Sequence, residues 1–139
     1  MDKYEFMSDA WIKMAREVIL QALQGADISN VTFSLSEEFT NPPEHLRRPD
    51  AATIGFTVRL DNGHAEVAAE PREDAEFRVI SDYADALVLA RDPELAAADP
   101  QLIVERLTQG RLKIIGNPAG VPAALQNLDV HRLLAPHTA

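Results

Sequence analysis

Histidines, clustered carboxylates and isolated hydroxyls are the residue types in this chain that could do chemistry. The four histidines are His45, His64, His131 and His137. No two stand three or four residues apart, the spacing that sets two imidazoles on one helix face toward a metal. Cysteine is absent altogether, so no metal site and no disulfide is predicted. Carboxylates come together at Glu37-Glu38, at Glu73-Asp74 and at Asp82 with Asp85. Adjacent residues on a strand point to opposite faces, so Glu37 and Glu38 do not form a proton-sharing pair. Asp82 and Asp85 read as charges at the positive end of a helix. Tyr83 with an acidic or imidazole neighbour could form an acid/base set. Asp82, Tyr83, Asp85 and His64 are therefore the candidates for an enzyme, or an accessory subunit, acting on a hydrophobic metabolite. No Gly-rich phosphate loop and no GxSxG nucleophile turn occurs, so no nucleotide cofactor and no serine hydrolase is predicted.

The elements that must position these residues follow from periodicity. Ser8 to Leu23 repeats its apolar residues at helical spacing (Trp11, Ala15, Val18, Ile19 and Ala22), with Ser8 as cap and Gly25 as stop. Val31 to Phe39 alternates, which predicts a strand with one buried face. In Ile54 to Glu70 a second alternating run meets Asn62-Gly63, the pair that best suits a type I′ turn. A two-residue turn there pairs Asp61 with His64 and places Leu60 by Ala65, Val58 by Val67, Phe56 by Ala69 and Arg59 by Glu66. A fourth strand covers Ala75 to Ile80, and Ser81 caps a helix to about Ala90. Asp99-Pro100 opens a helix that Gly110 ends. Arg111 to Ile115 is a fifth strand. Val121 to Leu128 and Asp129 to Leu134 are short helices. The fold class is α+β, a five-stranded, mainly antiparallel sheet covered on one face by helices, in a single domain spanning residues 1–139.

Charge narrows the partners. The chain of 139 residues carries 22 acidic and 13 basic side chains, a net charge of −9. A nucleic-acid ligand is excluded on that balance, since affinity for phosphate backbones comes from Lys and Arg. An anionic membrane surface is repelled as well. No apolar run approaches the ~20 residues of a membrane span, and the N-terminus shows no secretory pattern; a cytoplasmic protein is expected.

The run GRLKIIGN at Gly110 to Asn117, followed by LQNL at Leu125 to Leu128, resembles the C-terminal signature of the sterol carrier protein 2 domain family. The hairpin IGFTVRLDNGHAEV and the strand-helix-helix-strand segment AEFRVISDYADALVLARDPELAAADPQLIVERLTQGRLKI are similar to that family's pattern, so the resemblance spans roughly Ile54 to Leu134. It implies a five-stranded sheet with helices on one face and an apolar tunnel between them. It also implies a non-catalytic carrier of a hydrophobic ligand: a fatty acid, acyl-CoA, sterol or similar lipid. The chain ends in Pro136-His137-Thr138-Ala139, without the peroxisomal tripeptide of eukaryotic members.

The expected ligand-binding residues are Phe33, Phe56, Val58 and Phe77 on the inner strand face, and Leu107, Leu112, Ile114, Leu125, Leu128 and Leu133 from the C-terminal third. Alanine-rich stretches such as ELAAAD and AALQNL fill little volume, which suits an enclosed space. The apolar C-terminal segment is also a possible homodimer face.

Overall fold

A computed structural model describes residues 2–139. Ser8 caps helix α1 (Asp9–Leu23), its hydroxyl accepting from the Trp11 amide at 3.2 Å. Trp11, Ile12, Ala15, Ile19 and Leu23 are buried along one face, and Met14 completes it. The cap at the far end is Gln24, one residue before Gly25. Strand β1 (Thr32–Thr40) then alternates through the sheet. Phe33, Leu35, Glu37 and Phe39 share the inner face, so a carboxylate stands in an otherwise apolar row.

Strands β2 (Ile54–Asp61) and β3 (His64–Ala68) form the expected hairpin. Asn62 and Gly63 take φ values of +48° and +91°, and the ladder pairs Asp61 with His64, Leu60 with Ala65, Arg59 with Glu66 and Val58 with Val67. It stops at Thr57 and Ala68, so Phe56 and Ala69 lie just beyond it.

The chain next crosses the outer face of the sheet. Residues 69–76 pass over β2 and β1 to reach β4 (Phe77–Asp82). The crossing is fastened by hydroxyls. Thr57 donates to the Glu70 carbonyl at 2.8 Å, and Ser36 and Ser34 accept from the Arg72 and Glu76 amides at 3.0 Å each. Three strand spacings, roughly 14 Å, separate β3 from β4, and an extended segment of this length reaches about 26 Å. The crossing sets β4 parallel to β1, with Leu35 opposite Phe77 and Thr40 opposite Asp82. Strand β5 (Leu112–Ile115) closes the order β3-β2-β1-β4-β5, antiparallel to β4. Three of the four pairings are antiparallel, as expected, and the β1–β4 pairing is parallel, so the sheet is mixed; alternation alone does not reveal the direction of a neighbour.

Helix α2 (Tyr83–Arg91) starts one residue later than expected. Asp82, not Ser81, is its cap and accepts from the Ala84 amide at 3.0 Å. The β1–β4 ladder runs through Asp82, which keeps Ser81 in the strand and facing inward with Phe77 and Val79. Helices α3 (Glu94–Ala98), α4 (Pro100–Thr108), α5 (Ala123–Gln126) and α6 (Val130–Leu134) follow. Gln109 caps α4, and Gly110 follows with a φ of +73° that a side chain would strain. At Gly116 (φ +107°) a Cβ would also meet the Glu76 carbonyl oxygen at 2.5 Å.

The two ends of the described chain are bolted together. The Trp11 indole donates to Thr138 Oγ1 at 3.0 Å, and that hydroxyl donates to the Leu134 carbonyl at 2.9 Å. Tyr4 and Thr138 form a parallel bridge beside them. Replacing Thr138 by Val keeps the shape and leaves a buried indole N–H without an acceptor, a loss of about 1–3 kcal/mol. Urea unfolding of Thr138→Val should show a drop in that range with an unchanged m-value; no change would mean that the C-terminal segment is not docked on α1.

Candidate ligand-binding site

The inner face of the sheet is covered unequally. Over β1 to β3, α1 offers large side chains, and Ile19, Val58 and Leu60 are wholly buried. Over β4 and β5 the covering side chains are smaller. Helix α2 presents Ala86, Leu89 and Ala90, spaced three and four residues apart on one face. Between these helices and the strands lies a cavity of about 250 Å³. An apolar cavity of ~150 Å³ is already enough to stay dry and take benzene.

Its strand wall is Val79, Ser81, Leu112 and Ile114. Phe6, Trp11, Phe39 and Phe56 form its floor, and Tyr83 joins their aromatic cluster from outside the lining. The Phe6 ring meets Trp11 edge-on at 5.0 Å, Phe39 at 5.0 Å and Tyr83 at 5.5 Å, and Trp11 meets Phe56 at 6.0 Å. Such contacts hold rings in fixed geometry. Tyr83 is pinned further by donating its hydroxyl to the Phe6 carbonyl at 2.7 Å. Burial, helped by the nearby Glu5 carboxylate, pushes its pKa up to about 12. Ile114 lines the cavity and is also 41% exposed, so this side of the wall stands next to solvent at the β5 edge.

Three ionisable groups interrupt the apolar wall: Glu37 on β1, Arg106 on α4 and His131 on α6. Glu37 Oε1 lies 3.2 Å from His131 Nε2. The carboxylate's field and hydrogen bond hold the imidazolium, raising its pKa to about 9 against a smaller opposing effect of burial, with Asp129 adding to the rise. Asp85, buried on α2, pairs with Arg111 through Oδ1 and lies 4.0 Å from Arg106 Nε through Oδ2.

Of the residues expected to bind ligand, the cavity brings together Phe56, Leu112 and Ile114. Phe33, Val58, Phe77 and Leu125 are buried in the hydrophobic core instead. Leu128 and Leu133 are half-buried outside the lining, and Leu107 is 42% exposed. Helix phase explains the last two: Ile103 and Arg106 turn inward on α4 and Leu134 on α6, so their neighbours Leu107 and Leu133 turn away. None of the four acid/base candidates lines the cavity. His64 is exposed on the hairpin, and Asp82 caps α2 and accepts from Asn41 Nδ2 at 3.1 Å. Tyr83 and Asp85 are engaged as described. Sequence reasoning missed Glu37, Arg106 and His131. For Glu37 the signal was present, since alternation from Phe33 through Phe39 carries it inward.

Among the described residues no group of three His, Asp or Glu side chains could hold a metal ion. The Glu37–His131 pair generates a pH dependence. A histidine whose folded pKa is raised contributes stability that is complete below its unfolded value of about 6.5 and is lost as pH rises through about 9. The unfolding free energy should fall between those limits in the native protein, and His131→Gln should flatten the decline. Equal slopes in denaturant titrations from about pH 6 to about pH 10 would show that the pair is not formed.

No family model and no curated protein matches the sequence. Solved structures do match. A conserved hypothetical protein of Thermus thermophilus superposes at a TM-score of 0.56 with 18% identity, over 100% of this chain and 94% of that one. A sterol carrier protein 2 crystal structure gives 0.54 and 16% identity, over 96% of this chain and 100% of that one. The sterol carrier protein domain 2 of Helicoverpa armigera gives 0.50 and 18% identity, over 100% and 98%. A mixed five-stranded sheet, helices closing one face and these matches over nearly the whole chain lead to one conclusion: this chain has the fold of the sterol carrier protein 2 domain.

Proposed function

We propose that the protein is a non-catalytic carrier whose cavity receives the apolar chain of a lipid, with the exposed β5 edge as the opening of a tunnel. The observation that carries this reading is the apolar, aromatic-floored space of about 250 Å³ beneath α2, α4 and α6. That volume, about 250 Å³, lies just below the roughly 300–1,000 Å³ typical of small-molecule sites. It suits one slender chain better than a broad ring system. Two of the three structural neighbours are named as sterol carriers, which supports a lipid as the class of ligand.

An acid/base enzyme is the competing reading, and Glu37–His131 is the pair in the cavity wall that favours it. A histidine held protonated to about pH 9 by its own carboxylate partner is a poor general base near neutrality, where catalytic groups need a pKa close to the working pH. The carrier reading accommodates the pair as a satisfied ion pair instead.

Each methylene moved from water into the cavity is worth roughly 0.8 kcal/mol, about fourfold in affinity. Calorimetric titration with straight-chain lipids of increasing length should show that gain per carbon until the cavity is full. Ala90→Phe places a ring in the space and should weaken binding at least about tenfold while leaving or raising the melting temperature. Absence of saturable binding, or affinity indifferent to chain length, would overturn the proposal.

A further inference from the structure

Arg106 is a buried charge that the fold meets only at a distance. Its side chain is 8% exposed, and it lines the cavity from α4. A guanidinium carries five N–H donors in a fixed fork and does not shed its proton in a protein. Among the described residues none of those donors makes a hydrogen bond. Its carboxylate partner is Asp85 Oδ2, 4.0 Å from Nε, which is beyond hydrogen-bond range. Asp85 is itself committed to Arg111 through its other oxygen, and its Oδ2 is buried without a hydrogen bond.

The charge around the cavity does not cancel. Two guanidiniums share one carboxylate in the Arg106–Asp85–Arg111 cluster, which leaves one positive charge. Glu37 on β1 and protonated His131 on α6 neutralise each other. The remaining walls are apolar apart from the Ser81 hydroxyl, which donates to the Asp82 carbonyl at 3.2 Å. A buried cation with open donors is costly unless an anion meets it, and the fork matches a carboxylate through two parallel hydrogen bonds.

We propose that Arg106 anchors the anionic head of the lipid whose chain fills the cavity, and that this head is a carboxylate. The inference rests on the carrier reading and adds to it a charge class and the residue that selects it. Neutral lipids of the same length lack the group that completes Arg106 and bind more weakly.

The test compares dodecanoic acid with dodecanol by calorimetry at neutral pH on the native protein, Arg106→Gln and Arg106→Lys. The native protein should prefer the acid at least about tenfold. Arg106→Gln should lose that preference through weaker acid binding, with dodecanol affinity unchanged. Arg106→Lys should retain part of it. Equal binding of acid and alcohol to the native protein would overturn the anchor and leave the carrier reading standing. Failure of both to bind would overturn the two together. The native comparison decides the question even if neither variant folds, and an undiminished preference in a folded Arg106→Gln would reassign the head to another residue.

Discussion

The carboxylate of Asp85 is the constraint around which the cavity is arranged. It lies buried in the first turn of α2, where the positive end of the helix dipole already favours an anion. From there it reaches Arg111, which leads into β5, and faces Arg106 on α4. Two helices of the closing layer and the entry to an edge strand thus meet through long polar side chains instead of interdigitated methyl groups. Removing one partner from such a cluster is more damaging than never having built it, because a buried charge is left alone. The cluster therefore specifies how α2, α4 and β5 sit, and the cavity is the space that this arrangement leaves open.

The contrast with the other half of the sheet is one of side-chain size. On α1 the inward residues are Trp11, Ile12, Met14, Ile19 and Leu23, large enough to reach the strands and fill the layer. On α2 the corresponding positions are Ala86, Leu89 and Ala90. Protein interiors close to crystalline density wherever side chains can interdigitate, so a stretch with two alanines in three inward positions leaves volume unless the helix moves in. The Asp85 cluster resists that movement on one side. On the other, the Phe6 aromatic cluster and the Trp11–Thr138 bond hold α1 and the C-terminal segment in place.

Local information was legible in the sequence and long-range information was not. The hairpin register followed from Asn62-Gly63 and alternation alone, because turn geometry and period-two patterning each fix it independently. The Ser8 cap and the left-handed stop at Gly110 were legible for the same reason. The parallel β1–β4 pairing was not, since it depends on a crossing held by Ser34, Ser36 and Thr57, hydroxyls that read as solvent-facing until a loop covers them. The cavity lining depended on helix phase. In elements as short as α6, one residue's rotation exchanges Leu133 for Leu134, and apolar content alone does not set that rotation. Charged liners were missed because a search for apolar walls passes over Glu37 and Arg106 by construction.

The charges give the two environments of this molecule opposite signs. The whole chain carries −9, and its exposed carboxylates act through water and salt, where fields fade over about 8–10 Å. The cavity wall acts across a low-dielectric gap, where the one positive charge left over in the Arg106–Asp85–Arg111 cluster interacts far more strongly per unit of distance. An acidic exterior disfavours adhesion to anionic surfaces, while a cationic interior favours an anionic group that has already been enclosed. On the proposed carrier reading, the outer charge works against adhesion to an anionic surface and the buried charge works for retention of an anionic group, so the two do not compete.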